Sequence, residues 1–217
     1  MLDVTGGGWD EGVLLPRTCP VCGRAGDAPC GVCAAGLERA PALPPPPEVD
    51  RCVALLVYEG AGRELVARLK YRNARSSLPW LASALASLVD ARAVDVVTWV
   101  PTTAARRRAR GFDQGELLAR TVARRLRRPC RALLRRGPGP AQTGRSALER
   151  RRGPALLATT RAAGARVLVV DDVVTTGSSI TSAARALRAA GAAEVSALAA
   201  ARTPLKRPHG SSDTPGV

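Results

Sequence analysis

Thirteen residues, Val167 to Ser179 (VLVVDDVVTTGSS), constrain this chain more than any other stretch. Four aliphatic residues in succession, Val167 to Val170, predict a strand buried on both faces. Continuous apolar runs of that kind belong to parallel sheets covered by helices on either side. Two adjacent carboxylates, Asp171 and Asp172, fall where that strand is expected to end. Beyond them Thr175, Thr176, Gly177, Ser178 and Ser179 make a short hydroxyl-rich turn, and Ile180, Ala183, Ala184 and Leu187 then repeat at helical spacing. The turn therefore opens a helix, whose first N–H groups and positive dipole end receive anions. Gly177 lets the backbone come close to such an anion. Carboxylates suit a diol or a metal ion and the turn suits a terminal phosphate, so one ligand satisfying both is a ribose 5-phosphate. An ordinary helix capped by Ser178 or Ser179 accounts for the helix start but leaves the paired carboxylates unexplained.

With 217 residues the chain can bury one α/β core plus a small appendage. It has no run of 18 apolar residues, which argues against a membrane span. The stretch MLDVTGGGWDEG lacks the basic start and apolar core of a secretory signal, so a cytoplasmic location is expected. The formal charge is +15, and Lys70 and Lys206 are the only lysines among 33 basic residues. Between Arg106 and Arg152 sixteen arginines face Asp113, Glu116 and Glu149, a local balance of +13 that attracts pyrophosphate or a nucleic-acid backbone. Aromatic residues are 3% of the chain, so the stacking platforms of a dedicated single-strand binder are nearly missing.

Four cysteines, Cys19, Cys22, Cys30 and Cys33, stand as C-x2-C-x7-C-x2-C with Gly23 and Gly31 at the sharp turns. Four thiolates around a tetrahedral Zn²⁺ fit this spacing, and with no ligand position left open the expected role is structural. Cys52 and Cys130 lie in apolar contexts and read as core residues. Pro41 to Pro47 (PALPPPP) is an extended spacer. The expected organisation is thus a zinc module with its linker over residues 1–46, a main domain over 47–203 and a tail over 204–217.

Within the main domain Cys52 to Tyr58 reads as a strand and Gly60 to Tyr71 as a helix burying Leu65, Val66 and Leu69. A second helix over Trp80 to Val89 has Leu81, Leu85, Leu88 and Val89 as its apolar stripe. Val94 to Val100 is a second buried strand stopped by Pro101, followed by a basic loop from Thr102 to Gly111. Ligands of open α/β sheets sit beyond the carboxyl ends of strands, so this loop and the Asp171–Ser179 segment together suit a sugar with phosphates at both ends. Asp113 reads as an N-cap, with Glu116 completing a capping box and Phe112 stapled to Leu117. Leu118, Val122 and Leu126 continue that helix. Arg131 to Leu134 and Ala155 to Ala158 are minor strands, Gly137 to Gly153 is a glycine- and arginine-rich loop, and Val195 to Ala200 is the last strand.

An apolar strand, an acid pair and TTGSS in that order resembles the phosphoribosyl-pyrophosphate (PRPP) motif of type I phosphoribosyltransferases. That resemblance implies the type I phosphoribosyltransferase fold, with Asp171 and Asp172 facing the ribose hydroxyls directly or through Mg²⁺, and Thr175 to Ser179 around the 5′-phosphate. The ordering of cysteine module, proline spacer, LKY, VP, RGFDQ and arginine-rich loop over residues 19–203 resembles the ComF family of competence-associated phosphoribosyltransferase-like proteins. It implies Lys70 on the pyrophosphate side, where the basic loop after Pro101 also puts Thr102, Thr103, Arg106 and Arg107, although Thr102 and Thr103 stand where the family has a second Val-Pro. Gln142 and Arg150 match the family on the glycine- and arginine-rich loop, which with Arg145 is expected to be mobile and to close over the site. Arg110, Gly111 and Gln114 also match the family pattern, whereas Asp113 stands where the family has Asn. Thr175 holds the position at which purine-salvage relatives place an aspartate base, which argues against hypoxanthine or guanine as acceptor. The partners implied are PRPP and, in DNA uptake, single-stranded DNA and a competence helicase-type protein.

Overall fold

The computed structural model describes residues 18–69, 76–137 and 154–204. Lys70, Gln142, Arg145 and Arg150, the two chain ends and the segment 138–153 lie outside the described residues. The elements in chain order are α1 (Gly31–Ala35), β1 (Arg51–Val57), α2 (Gly60–Arg68), α3 (Leu78–Ala86), β2 (Val96–Trp99), α4 (Ala104–Arg110) and α5 (Gln114–Leu126). They continue with β3 (Leu134–Arg136), β4 (Leu156–Ala158), β5 (Arg166–Val174), α6 (Ser178–Ala189) and β6 (Glu194–Arg202).

Four strands in the order β1–β6–β5–β2 form one sheet, and every pairing in it is parallel. Val167 to Val170 of β5 are buried on both faces, as a continuous aliphatic run requires. One face packs against α2, α3 and α5 through Leu65, Val66, Leu81, Leu85, Leu118 and Val122. The other carries α6, through Ile180, Ala183, Ala184 and Leu187, together with Leu134 and Leu156 of the antiparallel β3–β4 pair. This is the α/β architecture, parallel sheet with flanking helices, that the aliphatic runs imply. Among the described residues no helix is long and apolar enough to cross a membrane.

Four expectations are corrected. The acid pair lies inside β5, because pairing with β6 continues through Asp171↔Ala199 and Val173↔Ala201 to Val174↔Arg202, while pairing with β2 stops at Val170. The basic segment after Pro101 is a helix: Thr103 caps it by accepting from the Arg106 N–H at 3.2 Å, and Gly111 ends it at φ +74°. With no buried residue it shows no apolar period, which is why the pattern reads as a loop. Third, Asp113 caps α5 but Glu116 does not reach back to it, pairing instead with Arg120 one turn on at 2.9 Å. Last, the minor strand starts at Leu134 where it meets β4, since residues 131–133 are tied to β2 by the Arg131 and Leu133 N–H groups.

The cysteine module does not stand apart from the sheet. Arg39 pairs antiparallel with Leu56, the Ala40 N–H donates to the Leu55 carbonyl at 3.1 Å, and the Val57 N–H donates to the Glu38 carbonyl at 3.0 Å. The segment leading into the proline spacer therefore covers the free edge of β1, and Val21 and Leu37 pack against the core.

Candidate functional site

The sheet's carboxyl ends decide where chemistry can gather. Because β2 ends one residue before Asp171 while β5 and β6 run on, a recess opens above β2. The loops after β1, β2 and β5 and the starts of α5 and α6 surround it. Its volume is about 370 Å³. Asp171 and Asp172 line it with Thr175 and Ser179 on one side, and Thr102, Arg106 and Arg110 on the other. Tyr58, Asp113, Gln114 and Arg136 complete the polar wall. A larger hollow of about 700 Å³ between β4 and α6 offers Arg135, Arg185 and Ser182 among mostly apolar residues and no carboxylate.

The acid pair is half-buried rather than solvated, and its two members point to different partners. Asp171 accepts from the Asp172 N–H at 2.9 Å, and Asp172 accepts from the Val173 N–H at 2.8 Å. Asp172 also accepts from the Gln114 side-chain amide, whose carbonyl oxygen in turn accepts from the Arg110 guanidinium. Burial pushes the Asp171 carboxyl well above the usual carboxylate range, and the neighbouring Asp172 charge adds to it. Two carboxylate oxygen donors facing one recess fit a Mg²⁺ that keeps most of its water and shares a substrate's oxygens.

Asp113 locks two walls of the recess together. Its Oδ1 accepts from the Gly115 and Glu116 N–H groups at 2.9 and 3.3 Å, capping α5, while Oδ2 accepts from the Thr102 N–H at 2.8 Å. The residue is 6% exposed, so its carboxylate is shielded; the bond to Gly115 is buried and those to Thr102 and Glu116 are partly so. Arg136 reaches across from β3 and donates to the Pro101 carbonyl at 2.9 Å.

Of the residues singled out by sequence, the structure gathers Asp171, Asp172, Thr175, Ser179, Thr102 and Arg106 around one cavity. Thr176 and Ser178 bond each other at 3.1 Å, and Gly177 is the N-cap of α6. Thr103 is committed to capping α4, and Arg107 is exposed outside the cavity lining. Tyr58 and Arg136 were missed, because each stands one residue beyond or at the end of a short strand whose neighbours say nothing of a site. The one available signal was position at a strand's carboxyl end.

The four cysteine sulfurs all lie within 4.8 Å of one another, with Cys22 and Cys30 at 3.7 Å. Thiolates about 2.3 Å from a tetrahedral zinc are about 3.8 Å apart, so the donor set and its spacing fit that ion. Burial alone would raise the Cys19 thiol, but N–H donation from Cys22, Cys30 and Val21 brings it to about 6. Cys33, desolvated and facing the other three sulfurs, is pushed up to about 12.

Residues 112–213 match the model of the phosphoribosyl transferase domain family. That segment, a little under half of the chain, is similar to a phosphoribosyl transferase domain. No curated protein matches the chain. Among solved structures, the chain is similar to a glutamine PRPP amidotransferase from B. subtilis, complexed with ADP and GMP. The two share 25% identity over 62% of this chain and 30% of that one, with a TM-score of 0.44. A purine phosphoribosyltransferase from Pyrococcus horikoshii is 18% identical over 58% of this chain and 83% of its own, with a TM-score of 0.41. The chain thus spans 30% of the amidotransferase's length.

Proposed function

We propose that the recess binds PRPP with Mg²⁺ and that the protein transfers the phosphoribosyl group to a nitrogenous acceptor. The observation that carries this is a single 370 Å³ cavity with an acid pair in the middle, hydroxyls of the α6 loop at one side and guanidiniums at the other. In this reading the Thr175–Ser179 loop takes the 5′-phosphate, Asp171 and Asp172 take the ribose hydroxyls or Mg²⁺, and Thr102, Arg106 and Arg110 face the pyrophosphate. Mg²⁺ would neutralise charge on the departing pyrophosphate. The chain's own residues bind, orient and stabilise: a phosphoribosyl cation-like state forms as pyrophosphate leaves the anomeric carbon, and guanidiniums aimed at the developing charge favour it. The Arg110–Gln114–Asp172 chain keeps one carboxylate aimed at the sugar while the acceptor approaches. Lys70, Gln142 and Arg150 join this proposal from the family resemblance alone, and Arg145 from its place in the same arginine-rich segment.

Calorimetry with PRPP and Mg²⁺ tests the reading: saturable binding is expected, together with pyrophosphate release once a suitable acceptor is supplied. No binding by folded protein overturns it. A second reading, of ComF type, is a DNA-uptake adaptor that holds single-stranded DNA without turnover. It is favoured by Arg107, Arg108, Arg124 and Arg125, all exposed and outside the cavity lining. Salt-sensitive binding of single-stranded DNA, with no pyrophosphate released from PRPP by any acceptor, distinguishes it.

A further inference from the structure

Gly177 carries a constraint that has nothing to do with a ligand. Its φ is +76°, and a Cβ built there would lie 2.6 Å from Cγ and 3.0 Å from Cβ of Pro46. Real side chains do not make contacts that short, so the backbone of the α6 loop and the ring of Pro46 pack directly on each other. The glycine that sequence assigns to anion approach also admits the proline spacer.

Pro46 is fixed there by anchors on both sides. Downstream, its carbonyl accepts from the Val49 N–H at 3.2 Å, and Val49 is buried in the core beneath α6. The Asp50 carboxylate accepts from Arg188 of α6 at 2.5 and 2.6 Å and from the Val195 N–H at 2.7 Å, while Arg188 also donates to the Glu48 carbonyl at 3.4 Å. Upstream, Glu38 to Ala40 is hydrogen-bonded to the edge of β1. Between the anchors runs Pro41 to Pro47, five of whose seven residues are prolines and therefore stiff.

We propose that Pro46 is a positioning residue for the Thr175–Ser179 loop, a strap that holds the loop in its anion-receiving shape without touching the ligand. The inference rests on reading that loop as the 5′-phosphate subsite. Thr175 and Ser179, which line the cavity, stand two residues before and after Gly177. A ring pressed on the backbone at that pivot limits how they can turn relative to each other. When the strap is loosened, the loop spends part of its time in other shapes and apparent affinity falls by the fraction lost.

The test is calorimetric titration of ribose 5-phosphate into the full-length parent, Pro46→Gly, Pro46→Ala, Gly177→Ala and the Gly177→Ala, Pro46→Gly double variant, with thermal melts alongside. Pro46→Gly is expected to weaken binding about two- to fivefold, the size of effect that releasing one proline-restrained residue has on a local equilibrium. Pro46→Ala, which keeps Cβ and removes the ring atom at 2.6 Å, should fall between it and the parent, and it carries the comparison if Pro46→Gly melts too early. Gly177→Ala should lose less affinity in the Pro46→Gly background than in the parent, a coupling that general destabilisation does not produce. Equal affinity of parent and both Pro46 variants, or strictly additive losses in the double variant, overturns the strap and leaves the subsite standing. Failure of the parent to bind ribose 5-phosphate overturns the subsite and the strap together.

Discussion

Asp113→Ala is the substitution whose cost the structure specifies most closely. One oxygen of this carboxylate caps α5 through Gly115 and Glu116, and the other holds the Thr102 N–H eleven residues back. Loss of a cap costs about 1 kcal/mol. Leaving the Thr102 N–H without its acceptor in a site that is 6% exposed at Asp113 adds about 1 to 2 kcal/mol. The expected loss is thus about 2 to 3 kcal/mol, or a fall in Tm of about 5 to 10 °C for a chain of this size. Asp113→Asn separates the two contributions. Asparagine caps as well as aspartate, but with one carbonyl oxygen it can serve α5 or Thr102 and not both. Its cost should be about 1 to 2 kcal/mol. Urea unfolding at neutral pH, comparing midpoints at unchanged m-value, gives the order parent, Asn, Ala. A loss below about 0.5 kcal/mol for the alanine variant would refute the reasoning, as would an asparagine variant no better than alanine.

Arg106→Ala should weaken PRPP binding about 10- to 150-fold, the equivalent of a charge-assisted contact, while Arg107→Ala, outside the cavity lining, should change it less than about twofold; calorimetry reads both. Asp171→Asn with Asp172→Asn should abolish PRPP binding yet leave Tm unchanged or raised at neutral pH. The folded state favours the protonated Asp171 carboxyl, so its ionisation opposes stability as pH rises. A lower Tm, or intact binding, counts against this. Asp95 has the opposite sign: the Arg166 guanidinium and N–H hold it at about 2, so its contribution is complete above its unfolded value near 4 and lost as pH falls toward about 2. Urea midpoints should decline across that window, and Asp95→Asn should flatten the decline. Elemental analysis should find about one zinc per chain. Because Arg39 pairs with Leu56, chelation should lower the melting temperature of the whole molecule rather than release the module alone; an unchanged main transition would contradict that coupling.

Much of this architecture was legible in the chain alone, because the physical signals are local. Val167 to Val170 reads as a two-faced buried strand and Ile180, Ala183, Ala184 and Leu187 as one helix face because each pattern is complete within a dozen residues. Asp113 as a cap, Gly177 as a special backbone position and the four clustered cysteines were legible for the same reason. What depended on distant partners was not. Whether Asp171 ends a strand or lies inside one is decided by β6, which contributes Ala199 and Ala201 opposite β5 after β2 has stopped. Helix α4 has no buried residue and so no period, and its existence rests on a cap at Thr103 and a left-handed Gly111. Tyr58 and Arg136 enter the cavity from β1 and β3, which no sequence spacing relates to the acid pair. Nor does anything in PALPPPP announce that Pro46 will pack on Gly177, 131 positions later in the chain. Local patterns determine which elements form; only close packing of the folded chain determines which of their ends meet.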